Sequence, residues 1–301
     1  MGSRGLAVGF EEPRARANIK GRSARPTHLA TIGPTPRARA PMGVGIEICV
    51  DSVASAVAAA SGGAARLELC DNLYEGGTTP SLGLLRAVLR HVRIPVHVMV
   101  RPRGGDFLYS QMECEVMRED IEAIRSAGAH GIVLGALDEE GAVDEGQLRQ
   151  FVSLAAPLLL TFHRAIDVTA DPVAAVHACV RCGVARVLSS GGAPTAAEGV
   201  VTLRRMVEAA AGRLIVAGGG GVSEANASSI AVAAGVDELH GSLRTTRRSA
   251  MRWRPTVPIP MGAEKRNGPE SEYESREADA TRVAAVVAAL EKLPTPRVVS
   301  T

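Results

Sequence analysis

From Val44 onward the chain alternates short aliphatic runs with helical stretches eight times, and this alternation constrains the fold more than any other feature. The runs 44–50 (VGIEICV), 66–70 (RLELC), 95–101 (PVHVMVR), 131–137 (GIVLGAL), 158–164 (LLLTFHR), 186–190 (RVLSS), 213–217 (RLIVA) and 237–242 (DELHGS) read as strands. Helical patterns lie near 52–61, 81–91, 111–127, 145–155, 171–182, 195–211, 223–234 and 275–292. Ser52, Ser81, Asp171, Thr195 and Ser223 stand where N-caps belong, and Gly62, Gly128, Gly183, Gly212 and Gly235 stand where helices close. Eight strands alternating with eight helices over about 250 residues predict an α/β chain with a single-domain (β/α)8 TIM barrel. A doubly wound open sheet is the competing architecture. The even count of units and the absence of a long linker favour the closed barrel.

Hydrophobic residues make up 46% of the 301 and aromatics only 3%, so the core must be aliphatic. Residues 1–41 hold eight Lys/Arg against Glu11 and Glu12, a charge of +6, and residues 294–301 add Arg297. Since the whole chain carries +2, the stretch 42–293 carries −5. A mildly acidic body argues against nucleic acid as a partner. No apolar run approaches a membrane span, and no signal-peptide core follows Met1. Five cysteines in a chain of this length do not form a disulfide framework, which points to free thiols in a reducing cytoplasm. The first 41 residues, with five prolines and no periodicity, read as a disordered extension. They are Arg-rich like a transit peptide, yet Met42 directly precedes the first strand and equally suits an upstream start. Residues 294–301 read as a flexible C-terminal tail.

In a barrel of this kind, function collects at the C-terminal ends of the strands. Side chains two apart share a face. Glu47 with Cys49, Glu68 with Cys70, and His97 with Met99 and Arg101 therefore form polar sets, while Ile46, Ile48, Leu67, Leu69, Val96 and Val98 form the opposite aliphatic faces. The aliphatic faces suit outer helices, which turns the polar sets inward. Buried charges need partners, and for Glu47 and Glu68 the expected ones are Arg101, Arg164, His97 and His163. The candidate catalytic set is Glu47, Glu68, His97, His163, Arg164 and His240.

Two loops suggest an anion site. After the third strand, Arg101-Pro102-Arg103-Gly104-Gly105 offers two guanidiniums as a bidentate grip. After the seventh, Gly218, Gly219 and Gly220 with Ser242 occupy the place where many barrels hold phosphate. Cys49 and Cys70 sit at equivalent positions on consecutive strands, one pleat beyond the glutamates, close enough to converge on a soft ion such as Cu(I). Buried free cysteine is also an ordinary core residue. Cys179 and Cys182 end an outer helix, where the dipole does not favour a thiolate, so they read as packing. His28, His91, His130 and His177 carry no assigned role.

The segments GIEICVDS (45–52), RLELCDNLYEGGTTPSLG (66–83), PVHVMVRPRGGDFLYS (95–110), TFHRAID (161–167), RVLSSGG (186–192) and ELHGSLR (238–244) together resemble the copper homeostasis protein CutC family across residues 42–293. The resemblance implies a TIM barrel, a cytoplasmic location, a homodimer or homotetramer, and a part in copper handling. It also implies Cu(I) ligation by Cys49 and Cys70, which match cysteines proposed as ligands in that family. Thr78, Trp253 and the first 41 residues depart from the family pattern without touching the site. Two functions follow. One is Cu(I) binding by Cys49 and Cys70, with Met99 or His97 as a third ligand. The other is an enzyme for a small anionic or phosphorylated substrate. In that reading Arg101, Arg103 and the glycine run hold the anion, His97, His163 or Glu68 move protons, and Arg164 orients a carboxylate.

Overall fold

The structure, a computed structural model, describes residues 43–257, 259 and 272–293. The expected disorder of 1–41 and the flexible tail 294–301 fall outside these residues. In chain order the barrel units are β1 (Gly45–Val50), α1 (Val53–Ser61), β2 (Arg66–Leu69), α2 (Leu82–His91), β3 (Val96–Met99), α3 (Gln111–Ser126), β4 (Gly131–Leu134) and α4 (Glu145–Ala155). They continue with β5 (Leu159–Phe162), α5 (Pro172–Arg181), β6 (Arg186–Ser189), α6 (Val200–Ala210), β7 (Ile215–Gly219), α7 (Ala227–Ala234), β8 (Glu238–Gly241) and α8 (Ala280–Glu291). Each strand pairs in parallel with the next, and β8 returns to β1 through Glu47↔His240, so the sheet closes. The open-sheet alternative is thereby excluded.

Ser52, Ser81 and Asp171 cap their helices through side-chain oxygens that accept first-turn amides. Thr195 and Ser223 do not, and α6 and α7 begin five and four residues later than the pattern predicts. The polar residues there close turns ahead of the helices: Thr195 Oγ1 accepts the Glu198 amide, and the Ser223 amide donates to Asn226 Oδ1. The last helix also starts later than expected. Residues 274–278 form β10, which pairs antiparallel with β9 (Arg244–Arg248) in a hairpin outside the barrel. Asp279 stops that strand because its carboxylate accepts the amides of Thr281 and Arg282 and so starts α8. The Ala278 amide donates to the buried Ser55 hydroxyl on α1, which fastens the hairpin to the wall.

Register shows which side chains enter the barrel. Glu47 stands beside Arg66 and His240, Cys49 beside Glu68, Glu68 beside His97, His97 beside Gly131, Thr161 beside Arg186, and Gly219 beside His240. Outward residues such as Ile48, Leu67, Val98 and Val187 are fully buried against the helices and make the main apolar core. Each such burial is worth roughly 1.5–3 kcal/mol.

The interior of the barrel is charged at mid-height. Arg66 donates to Glu47 at 2.5 Å and to Glu238 at 2.5 Å; Arg186 donates to Glu47 at 3.0 Å, to Glu238, and to Thr161 Oγ1 at 3.2 Å. Two arginines thus alternate with two glutamates in a ring that joins β1, β2, β6 and β8. Glu47 therefore finds its cationic partners in Arg66 and Arg186, not in Arg101, Arg164 or the two histidines expected from the sequence. Arg66 and Arg186 open their strands, so the twist and stagger of the barrel bring them level with Glu47, a relation that linear order does not display.

On the other side of the barrel, β4 leaves space for its neighbours. A Cβ on Gly131 would lie 2.7 Å from His97 Nε2, and one on Gly135 would lie 2.6 Å from His163 Nδ1. The two imidazoles from the flanking strands fill what β4 leaves empty. Gly131→Ala or Gly135→Ala should therefore cost about 1–3 kcal/mol by overpacking, read as a lowered urea midpoint; unchanged midpoints would refute this packing. Arg186→Met should cost about 3–5 kcal/mol because Glu47 and Glu238 would be left short of positive charge. A loss under about 1 kcal/mol in the same assay would show that the ring is not a mutually dependent unit.

Candidate functional site

Above the ring, at the C-terminal mouth, lies a cavity of about 520 Å³. Cys49, Glu68, Met99 and His240 line one end of it, and His163, Arg164, Asp167, Gly220 and Ser242 the other.

The first end is rich in sulfur. Cys49 Sγ lies 3.6 Å from Cys70 Sγ, and Cys70 Sγ donates to Glu68 Oε2 at 3.5 Å. The two cysteines are not level, as sequence position suggested, because register sets Cys49 opposite Glu68. The stagger between β1 and β2 raises Cys70 by one pleat, and the side chains still converge. Met99 shares with both cysteines and Val133 a small buried cluster separate from the main core. Cys70 is fully buried, and Gly77 leaves room over it: a Cβ there would come within 3.2 Å of Cys70 Sγ.

His240 couples this end to the ring. Its Nδ1 lies 2.9 Å from Glu47 Oε1 and its Nε2 3.5 Å from Glu68 Oε2. Burial favours a neutral ring, but the negative charge of Glu68 and the bonds with Cys49 and Glu47 overcome it and hold His240 well above the usual imidazole range. For Glu47, burial would raise the pKa, yet Arg186, His240 and Arg66 together pull it well below the ordinary carboxylate value. Glu68 goes the other way: burial, reinforced by charge on Cys49, pushes it well up. The hydrogen bond between the thiols lowers Cys49 well below and raises Cys70 well above the ordinary thiol range. One oxygen of Glu68, Oε1, is buried with no partner among the described residues. Cys49, Glu68 and His240 together offer ligand atoms within 4.8 Å of one another, so a nitrogen, an oxygen and a sulfur donor are also grouped here.

The second end is rich in hydrogen-bond donors. Arg164 Nε bonds Asp167 Oδ2 at 2.8 Å, and its Nη2 bonds Ser190 Oγ at 2.8 Å. Asp167 in turn accepts from the Ser189 hydroxyl and from the amides of Ser190 and Gly192, which fixes the loop after β6. Gly220 has φ +102° and runs beneath the Arg164 guanidinium, 3.6 Å from where a Cβ would stand to Cζ. His163 accepts the Ala165 amide at Nδ1 and packs edge-on against Phe107.

The site residues predicted from sequence separate into three groups. Glu68, His163, Arg164, His240, Arg101, Gly220, Ser242 and Cys49 line the cavity, with Cys70 directly behind Cys49. Glu47 and His97 lie below it among the ring charges, and Gly218 and Gly219 face Val236, Leu188 and His240. Arg103 points away and bonds Glu113 at 2.5 Å and the Leu108 carbonyl. Arg101 does not present a free fork: its guanidinium donates to the carbonyls of Glu75, Gly77 and Gly105 and stacks 5.0 Å from the Phe107 centroid. Two arginines that read as an anion grip are thus committed to shaping loops. Asp167 and Ser190 are absent from the sequence-derived site, and the Ser189-Ser190-Gly191-Gly192 run is the signal in the sequence that marks them.

Burial holds His163 near a pKa of about 3, with Arg101 adding to the effect, and burial does the same to His97. Both rings are neutral in the fold and titrate near 6.5 when unfolded. Below pH 6.5 the unfolded chain takes up protons that the folded chain refuses, so stability is complete above that pH and falls towards pH 3. His163→Asn keeps an acceptor for the Ala165 amide and removes one such group. Urea unfolding should show its acid limb shallower than wild type by about 1.4 kcal/mol per pH unit. Equal slopes would show that His163 charges in the fold.

The family model described as the CutC family matches residues 44–245. A copper homeostasis protein cutC homolog of Homo sapiens is 46% identical over 250 residues, 83% of this chain and 90% of that one. A family protein CutC of Chromobacterium violaceum is 46% identical over 247 residues, 82% of this chain and 98% of that one. The crystal structure of CutC from Streptococcus agalactiae superposes with a TM-score of 0.63 at 32% identity, covering 66% of this chain and 98% of that one. A Rubisco-like protein from Rhodopseudomonas palustris superposes at 0.53 with 15% identity, which speaks to the barrel alone. With the matched motifs spread over the strands that build the cavity, the chain belongs to the CutC family.

Proposed function

We propose that this protein binds Cu(I) at the sulfur end of the cavity and serves copper homeostasis, as the names of its relatives indicate for them. The observation that carries this reading is the pair of buried sulfurs 3.6 Å apart, with Met99 in the same buried cluster. Two thiols and a thioether are soft donors, which favour Cu(I) over harder ions. The hydrogen bond with Cys70 shifts Cys49 towards the thiolate that a cuprous ion needs, and ligation by the pair displaces the thiol protons that remain. Met99 is the third ligand in this reading; His97 lies beneath the cavity, outside its lining. Five free, buried cysteines support a reducing compartment such as the cytoplasm. Among the described residues no helix is long and apolar enough to cross a membrane. The mixed set of Cys49, Glu68 and His240 is the alternative for a harder ion, but His240 would have to surrender its bond to Glu68.

Competition titration should give one Cu(I) per chain, bound in preference to Zn(II). Cys49→Ser and Cys70→Ser should each weaken it by more than the roughly 10–100-fold that loss of an outer partner costs. Met99→Leu conserves volume, so a measurable loss of affinity there assigns the thioether as a ligand. Wild-type Cu(I) affinity in the Cys49→Ser, Cys70→Ser double variant would overturn the proposal.

A further inference from the structure

We infer that the other end of the cavity binds a small molecule through an oxyanion, a carboxylate or a phosphate, held by Arg164 and His163. The inference starts from donors that lack acceptors. His163 accepts the Ala165 amide at Nδ1, so the neutral ring carries its proton on Nε2. That Nε2–H is buried, and no acceptor meets it among the described residues. Arg164 is anchored by Asp167 through Nε and by Ser190 through Nη2, and among the described residues no hydrogen bond engages its Nη1. The anchoring orients the guanidinium across the mouth at little entropic cost, with Nη1 over the Gly220 backbone. The backbone of Gly220 and Gly221 borders the same cavity. Both glycines have positive φ, +102° and +72°, a conformation that keeps side chains from crowding the ligand space.

A buried donor without an acceptor costs free energy that a ligand can recover. Here one such donor, the His163 Nε2–H, borders the cavity, and the exposed Arg164 guanidinium adds positive charge to the same wall. The missing group is rich in acceptors and carries negative charge. Asp167 does not supply it, because its oxygens are already occupied by Arg164, Ser189, Ser190 and Gly192. A volume of about 520 Å³ holds a small organic molecule, not merely an ion. The site is separate from the Cys49–Cys70 pair, so it stands or falls independently of the copper reading.

The test uses the full chain, with inorganic phosphate as one probe and malonate as the other, titrated by calorimetry and by thermal unfolding. Saturable binding of one probe is expected, and which one binds tells phosphate from carboxylate. Arg164→Gln should weaken it about tenfold or more, the loss of one charge-assisted hydrogen bond. Arg103→Gln, outside the cavity, should leave it unchanged, and Cys49→Ser should as well. In the wild type the His163 Nε2–H resonance should shift on binding, a readout that does not depend on any variant folding. No saturable binding of either probe, binding that leaves His163 unmoved, or equal affinity in Arg164→Gln would each overturn the inference. Cu(I) titration of Arg164→Gln should retain wild-type affinity, so failure here and failure of the copper site are told apart.

Discussion

The arrangement depends on the ring of Arg66, Glu47, Arg186 and Glu238. Four charges inside a barrel are tolerated only when each is paired, and here each arginine bonds both glutamates. The ring fixes the relative heights of β1, β2, β6 and β8 more strictly than aliphatic packing would, because hydrogen bonds have direction and apolar contacts do not. It also settles what happens one layer above. With one Glu47 oxygen taken by both arginines, the other is left for His240, whose far nitrogen then meets Glu68. Charge is passed upward from a structural floor to the sulfur pair through a single histidine.

The barrel itself was legible because its signals are local. A period of two within strands, caps before helices and glycines after them are readable residue by residue. Inward and outward faces followed from the same period, and Cys49, Glu68 and His240 were placed in the interior correctly. Height was not legible. Arg66 shares its face with Glu68 and Cys70, so parity alone could have turned it inward; at a strand's first position it reads instead as an exposed edge. Arg186 is hidden in the same way. The loop Arg101–Asp106 was misread for another reason. Its arginines and glycines are real signals of a shaped loop, but whether a guanidinium meets a ligand or three carbonyls depends on the turn at Glu75–Gly77, far away in sequence. The hairpin of β9 and β10 was missed because its two strands are separated by a long connection and are mostly exposed.

The cavity divides by chemical softness. One wall holds polarizable sulfur backed by a histidine under negative charge; the other holds hard nitrogen donors fixed by Asp167. Soft and hard ligands would not compete for such walls, since each finds its partners only on its own side. Separation of this kind arises from topology. The sulfur end comes from β1, β2, β3 and β8, and the donor end mainly from the segments that follow β5, β6 and β7.

Gly131 in β4 and Gly135 just beyond it bear on how this sequence can change over time. Positions 97 and 131 occupy one volume between them, as do 163 and 135, with the imidazole in possession and the glycine yielding. Substitutions at such a pair are ordered. A side chain at 131 costs least after the ring at 97 has been replaced by something smaller, while the reverse order passes through an overfilled barrel. Descendants of this chain that have lost the histidine are therefore the ones free to lose the glycine, and the history of the two positions runs in one direction.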